Sequence, residues 1–132
     1  MRKKRFFAFI ILAIIIISSI YFGTRKNEVT FYLGVANSSS DSINVLMSLD
    51  TLVLYNDILQ NNPFKYEIIE SSLRLGFYTL SASEICNQNK TRKRIFVLHD
   101  QHIVVEYYEH CERQDSLPCF VIRNRFTPFY LE

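Results

Sequence analysis

Two regimes of hydrophobic patterning divide this chain. Residues 6–22 read FFAFIILAIIIISSIYF, seventeen positions without a charge, where only Ser18, Ser19 and Tyr21 carry polar side-chain groups. At about 1.5 Å per residue the segment makes a helix of roughly 25 Å, near the short end of what crosses a bilayer core. A helix buried in a soluble protein would show a polar stripe, and this one has none. In lipid the backbone has to satisfy its own hydrogen bonds, so helix is the single-segment solution even for a run of isoleucines. Tyr21 and Phe22 fall where interfacial aromatics anchor the far end.

After the polar link TRKNE the apolar block gives way to short alternating runs. Residues 29–36, 43–49, 52–56, 64–69, 73–83, 93–99, 102–109 and 120–126 are rich in Val, Ile, Leu, Phe, Tyr and Thr, and polar turn residues separate most of them. In the second run Ile43, Val45, Met47 and Leu49 alternate with polar Asn44 and Ser48, the period of two of a half-buried strand. The pattern predicts an all-β domain, an antiparallel two-sheet sandwich of seven to eight strands, preceded by one N-terminal transmembrane helix. The organisation expected is a basic tail at 1–5, a span at 6–22, a linker at 23–28 and the sandwich at 29–132. Asp50-Thr51 and Asp100-Gln101 each predict a hairpin whose aspartate closes the turn through its own backbone. Only NDILQNNP, residues 56–63, has room for a helical turn.

The runs VANSSSDSINVLMSLDTLVL, LRLGFYTLSAS and KRIFVLHDQHIVVEYY, over about residues 35–108, resemble a group of small bacterial β-sandwich proteins of unknown function, membrane-anchored or lipid-anchored. Their layout is an Asn-x-Ser turn, a strand ending in Asp-Gly, a Gly-x-His strand and a late strand ending in paired aromatics. Asn37, Ser39, Asp50, Gly76, Tyr107 and Tyr108 occupy the matching positions, while Thr51 replaces the glycine and Tyr78 the histidine. The resemblance implies a transthyretin-like or immunoglobulin-like sandwich, and it carries no activity.

Charge fixes the expected orientation. Arg2, Lys3, Lys4 and Arg5 precede the apolar run, and residues 1–23 contain no acid. By the positive-inside rule the N-terminus is cytoplasmic and the domain is exported, periplasmic or extracellular. A secretion signal also begins this way, but it needs small residues at the last and third-last positions before the cut. Ser19 as the last residue puts Ile17 third-last, and Gly23 puts Tyr21 there. An uncleaved single-pass signal anchor is therefore expected, with a cleaved secreted protein as the alternative. The remaining 109 residues hold eleven basic and thirteen acidic side chains, which argues against a nucleic-acid partner.

No signature of a catalytic site, metal site or cofactor stands out. His99, His102 and His110 cluster in sequence, but the first two flank a predicted turn and the third lies at the other end of the next strand, roughly 25 Å away at about 3.3 Å per residue. Turn histidines in solvent are the expectation. Lys90, Arg92, Lys93 and Arg94 read as a solvated loop, and Asn37 and Asn89 match glycosylation acceptors that matter only in a eukaryotic source. Without a nucleophile motif an envelope enzyme is the lesser alternative. The function class expected is a binding or scaffold module acting by non-covalent contact, with the membrane through its helix and with an envelope protein of unknown identity. The apolar chain end makes Phe129, Tyr130 and Leu131 the candidate partner contact. Three cysteines leave one unpaired: Cys111 with Cys119 fits a hairpin end, Cys86 then stays free, most simply as a small buried residue beside Ile85 and otherwise as an intermolecular link, and Cys86–Cys111 or three reduced thiols are the rivals.

Overall fold

The structure is a computed structural model describing residues 2–86, 89–111 and 117–125. It consists of one helix, α1 (Arg2–Thr24), followed by β1 (Lys26–Asn37), β2 (Ser42–Leu49), β3 (Leu52–Gln60), β4 (Glu67–Arg74), β5 (Gly76–Glu84), β6 (Lys90–Val97), β7 (Gln101–Tyr108) and β8 (Cys119–Arg125). The strands form two four-stranded sheets, ordered β4-β1-β7-β8 and β3-β2-β5-β6. Phe31, Leu33, Val45, Met47, Leu80, Ile103 and Val105 fill the space between them, all fully buried.

The all-β, two-sheet, eight-strand architecture behind an apolar helix matches the sequence expectation. One pairing departs from it: β1 runs parallel to β7, from Val29 opposite Gln101 to Asn37 opposite Tyr108. A parallel pair requires a long crossover, and here the whole second sheet is threaded between the two strands. Local pattern carries no sign of it.

Other boundaries moved as well. The linker reduces to Arg25, because α1 runs to Thr24 and β1 starts at Lys26, with the Arg25 amide still bonded to Tyr21 O at 3.1 Å. The stretch with room for a helical turn continues β3 to Gln60, with Leu59 buried against the core. Asn56 and Asp57 are poor strand formers, but β3 is an edge strand and solvates them. That edge is closed locally: the Ile58 amide donates to Asp57 Oδ1 at 2.7 Å, and Ile58 O accepts from the Tyr55 hydroxyl at 3.1 Å.

The Asp50-Thr51 hairpin is present, with Asp50 at φ 50°, joining β2 to β3 through Leu49 opposite Leu52. Its carboxylate does not close its own turn; Oδ1 accepts from the Thr79 amide at 2.8 Å and ties the turn to β5. The second predicted hairpin is not one. Residues 98–100 carry the chain from β6 in one sheet to β7 in the other, and Asp100 Oδ1 accepts from the Glu28 amide of β1 at 2.8 Å. A short polar turn between two strands has the same local chemistry whether it folds back in one sheet or arches to the next. What decides is burial: Gln101 lies inside, donating to Phe96 O at 3.2 Å and accepting from Asn124 Nδ2 at 2.8 Å.

Candidate functional site

The end of the sandwich remote from α1 gathers residues 38–41, residues 61–66 and the start of the β7–β8 connection. Glu109 binds these loops together. Its carboxylate accepts from the Ser39 amide and, at 2.6 Å, from the Ser39 hydroxyl, while its amide donates to Asn37 O at 2.9 Å. The two Ser39 bonds hold the Glu109 carboxyl below its usual range, because they stabilise the ionised form. From the other side Asn61 Nδ2 donates to Ser38 O and Ser40 O at 2.9 and 3.0 Å, and the Asn61 amide to Asp41 O at 2.8 Å. Asn37 and Ser39, the Asn-x-Ser turn of the resemblance, are thus parts of a loop brace.

Residues 61–66 are pinned at both ends. The Phe64 amide donates to Asn62 Oδ1 at 3.0 Å, and Tyr66 lays its ring across β1 on the outer face of the first sheet. Only a glycine admits it there: a Cβ on Gly34 would come within 2.5 Å of Tyr66 Cε1. The Tyr66 hydroxyl donates to Glu106 Oε1 at 2.7 Å, and Glu106 Oε2 also faces the Tyr108 hydroxyl at 3.4 Å and Arg123 at 3.7 Å. Burial first, and then the bond to Glu106, push the Tyr66 phenol well up, so it stays a donor. Farther along the same face the Tyr32 hydroxyl lies 3.4 Å from His102 Nδ1. Between its two fastenings the loop exposes Phe64, at 79% the most exposed large apolar residue among those described.

The paired aromatics separate. Tyr108 faces outward to Glu106, whereas Tyr107 points into the core and donates to Glu84 Oε2 at 2.9 Å, with Glu84 only 8% exposed. Burial, and then the bond to Glu84, raise the Tyr107 phenol. Because folding favours the neutral phenol, its contribution is whole below the ordinary value of about 10 and is lost as pH climbs through the raised one. Tyr107→Phe is expected to cost about 2 kcal/mol, the usual worth of a hydrogen bond to a charged group. Thermal melts at neutral pH and above pH ~10 check both: the variant should melt lower at neutral pH and lose less on alkalisation. Equal melting at neutral pH would remove the assigned role.

Other sequence readings change in place. His102 is half-buried against Tyr32 rather than free in solvent, while His99 and His110 are exposed. Among the described residues no three His, Cys, Asp or Glu side chains converge as a metal set. The basic run is strand, not loop: Lys93 Nζ donates to Ile122 O at 2.8 Å and Thr91 Oγ1 accepts from the Phe120 amide at 3.2 Å, so β6 stitches the free edge of β8. Arg94 lies over the Phe77 ring, 4.6 Å from its centre. Cys111 and Cys119 stand at disulfide distance, Cα atoms 6.1 Å apart, and Cys86 is exposed rather than buried, because it follows the end of β5 in a surface turn. Phe129, Tyr130 and Leu131 lie outside the described residues. Sequence reasoning missed the Tyr66–Glu106 brace, although a glycine inside a strand, Gly34, was the available signal. Searches of protein-family models, curated proteins and solved structures match nothing in this chain, so its residues alone carry the functional argument.

Proposed function

We propose that this protein is a single-pass, membrane-anchored binding or scaffold module, N-terminus cytoplasmic and β-sandwich exported, acting through non-covalent contacts. The observation that carries the reading is Phe64: a large apolar side chain exposed on a loop whose two ends are bonded to the rest of the far end. An apolar anchor on a preorganised loop is what a binding hot spot requires, since little ordering entropy remains to be lost on contact.

The anchor is supported by α1, long and apolar enough to cross a membrane. Its side chains from Lys3 to Thr24 are all exposed, as a lipid-facing helix requires. Ser19 and Thr24 turn their hydroxyls back to Ile15 O and Ile20 O at 2.8 Å, which quiets the polar groups for lipid. Four basic residues and no acid before the span favour an exported domain. Of the two implied sandwich types, the transthyretin-like one is preferred, because four strands plus four with a parallel β1–β7 pair departs from the four plus three of an immunoglobulin constant domain.

A photo-crosslinking residue at position 64 of the full chain, activated in intact envelopes, is the test. A discrete adduct is expected from position 64 and none from position 70, in the middle of β4. Indistinguishable labelling from the two positions would overturn the assignment of the far end as the binding surface.

A further inference from the structure

The end of the sandwich next to α1 differs from the far end in what it exposes. The parallel alignment of β1 and β7, with β4 and β8 antiparallel to them, gathers Lys26, Arg74 and Arg125 at that end of the first sheet. In the second sheet the same end holds Gly76 opposite Val97 and Phe77 opposite Phe96. The two rings stack on the outer face, centroids 4.7 Å apart, and remain 62% and 43% exposed. Leu98, beginning the arch to β7, is 51% exposed. The Arg94 guanidinium covers one face of Phe77.

Acids at this end are engaged by backbone: Asp50 accepts from Thr79 and Asp100 from Glu28, leaving Glu28 as an exposed carboxylate beside exposed Arg25, Lys26, Arg74 and Arg94. The far end has the reverse balance, with Asp41, Asp57, Glu67 and Glu109 against Lys65 and Lys90 among its described residues.

Chain length decides what this surface meets. Only Arg25 separates the helix from β1, so if Phe22 marks the interface, Lys26 lies no more than about 10 Å beyond it. Leu75, on the β4–β5 connection, shares a groove with Ile14, Ile15, Ser18, Ser19 and Phe22 of α1. The loops of this end therefore sit at headgroup depth, where aromatic rings and arginines with apolar stems are at home.

We propose that this end of the sandwich docks on the bilayer that holds α1, with Phe77, Phe96 and Leu98 entering the headgroup layer and Lys26, Arg74 and Arg94 meeting lipid phosphates. This rests on the anchored reading given above, and the test separates the two. The full chain, with Cys86→Ser, receives single cysteines at Leu98→Cys, Phe77→Cys, Phe64→Cys or Ile14→Cys for a polarity-sensitive fluorophore. It is reconstituted in vesicles of phosphatidylcholine alone or with added phosphatidylglycerol, carrying nitroxide lipids at shallow or deep positions. Labels at 98 and 77 should be quenched by shallow nitroxides, the label at 64 should not, and that at 14 should be quenched by deep ones. Added phosphatidylglycerol should strengthen the shallow quenching, and Lys26→Gln with Arg74→Gln should reduce that increment by more than half. Labels at 98 and 77 as unquenched as that at 64, with 14 quenched, would overturn docking while the anchor stands; no quenching at 14 would overturn both. Shallow quenching indifferent to phosphatidylglycerol would remove the phosphate contacts from the proposal.

Discussion

Replacing Phe31 by alanine should remove about 4 kcal/mol from the stability of the sandwich, the largest loss expected of any single substitution considered. Phe31 is fully buried, sits on β1 between Ile69 of β4 and Ile103 of the parallel strand β7, and faces the second sheet. Truncation leaves a cavity at the middle of the sheet, where backbone pairing on both sides prevents collapse. For a domain whose whole stability is about 5–15 kcal/mol, that is a large share. Phe77 is the control: it is as large, but it lies on the outer face, and Phe77→Ala should cost less than about 1 kcal/mol. Denaturant titration of the full chain in detergent compares the two. Phe31→Ala losing no more than Phe77→Ala would contradict the inward and outward assignment of the strands.

Breaking the link between Cys111 and Cys119 should come next, at about 2.5 kcal/mol for a loop closed over so short a separation. The two cysteines are 8 positions apart and bracket the β7–β8 connection, where the Cys111 amide already donates to Leu117 O at 3.2 Å. Cys119→Ser and reduction of the natural chain should lower the melting point by similar amounts, whereas Cys86→Ser should leave it unchanged, since Cys86 is exposed and unbridged. Peptide maps made without reduction give the direct readout. A crosslinked peptide joining Cys86 to Cys111, or three alkylatable thiols in protein from native envelopes, would defeat the assignment.

The sequence was informative where residues act locally and silent where they act across the fold. The inward row Ile43, Val45, Met47 and Leu49 is buried as its alternation requires, and the Asp50 turn is where its chemistry puts it. Alternation reports which face of a strand is dry, not which strand lies beside it, so the parallel β1–β7 pair had no signature. For the same reason Asp100-Gln101 read as a hairpin. The pattern predicts a break over Glu70, Ser71 and Ser72, yet β4 runs through them: in an edge strand paired only with β1, Glu70 and Ser72 are solvated and Ser71 is half-buried. Within the candidate site, Ser39 and Asn37 were visible as a turn, but their partner Glu109 is about 70 residues away in sequence. The apolar run 64–69 predicts Phe64 in a strand; its exposure follows from the bracing of residues 61–66 by Asn61 and Tyr66, a tertiary event.

On the anchored reading proposed above, the single residue between α1 and β1 also makes the protein a ruler. β1 is 12 residues long and an interior strand of a sheet fastened to the second by a packed core. At about 3.3 Å per residue it reaches roughly 40 Å. With no flexible stalk below it, an anchored sandwich cannot sweep a hemisphere as a tethered domain would. Phe64 would ride at nearly constant height above the lipid, and a partner would meet it only by presenting its own surface in that thin layer, which selects by geometry before any contact is made.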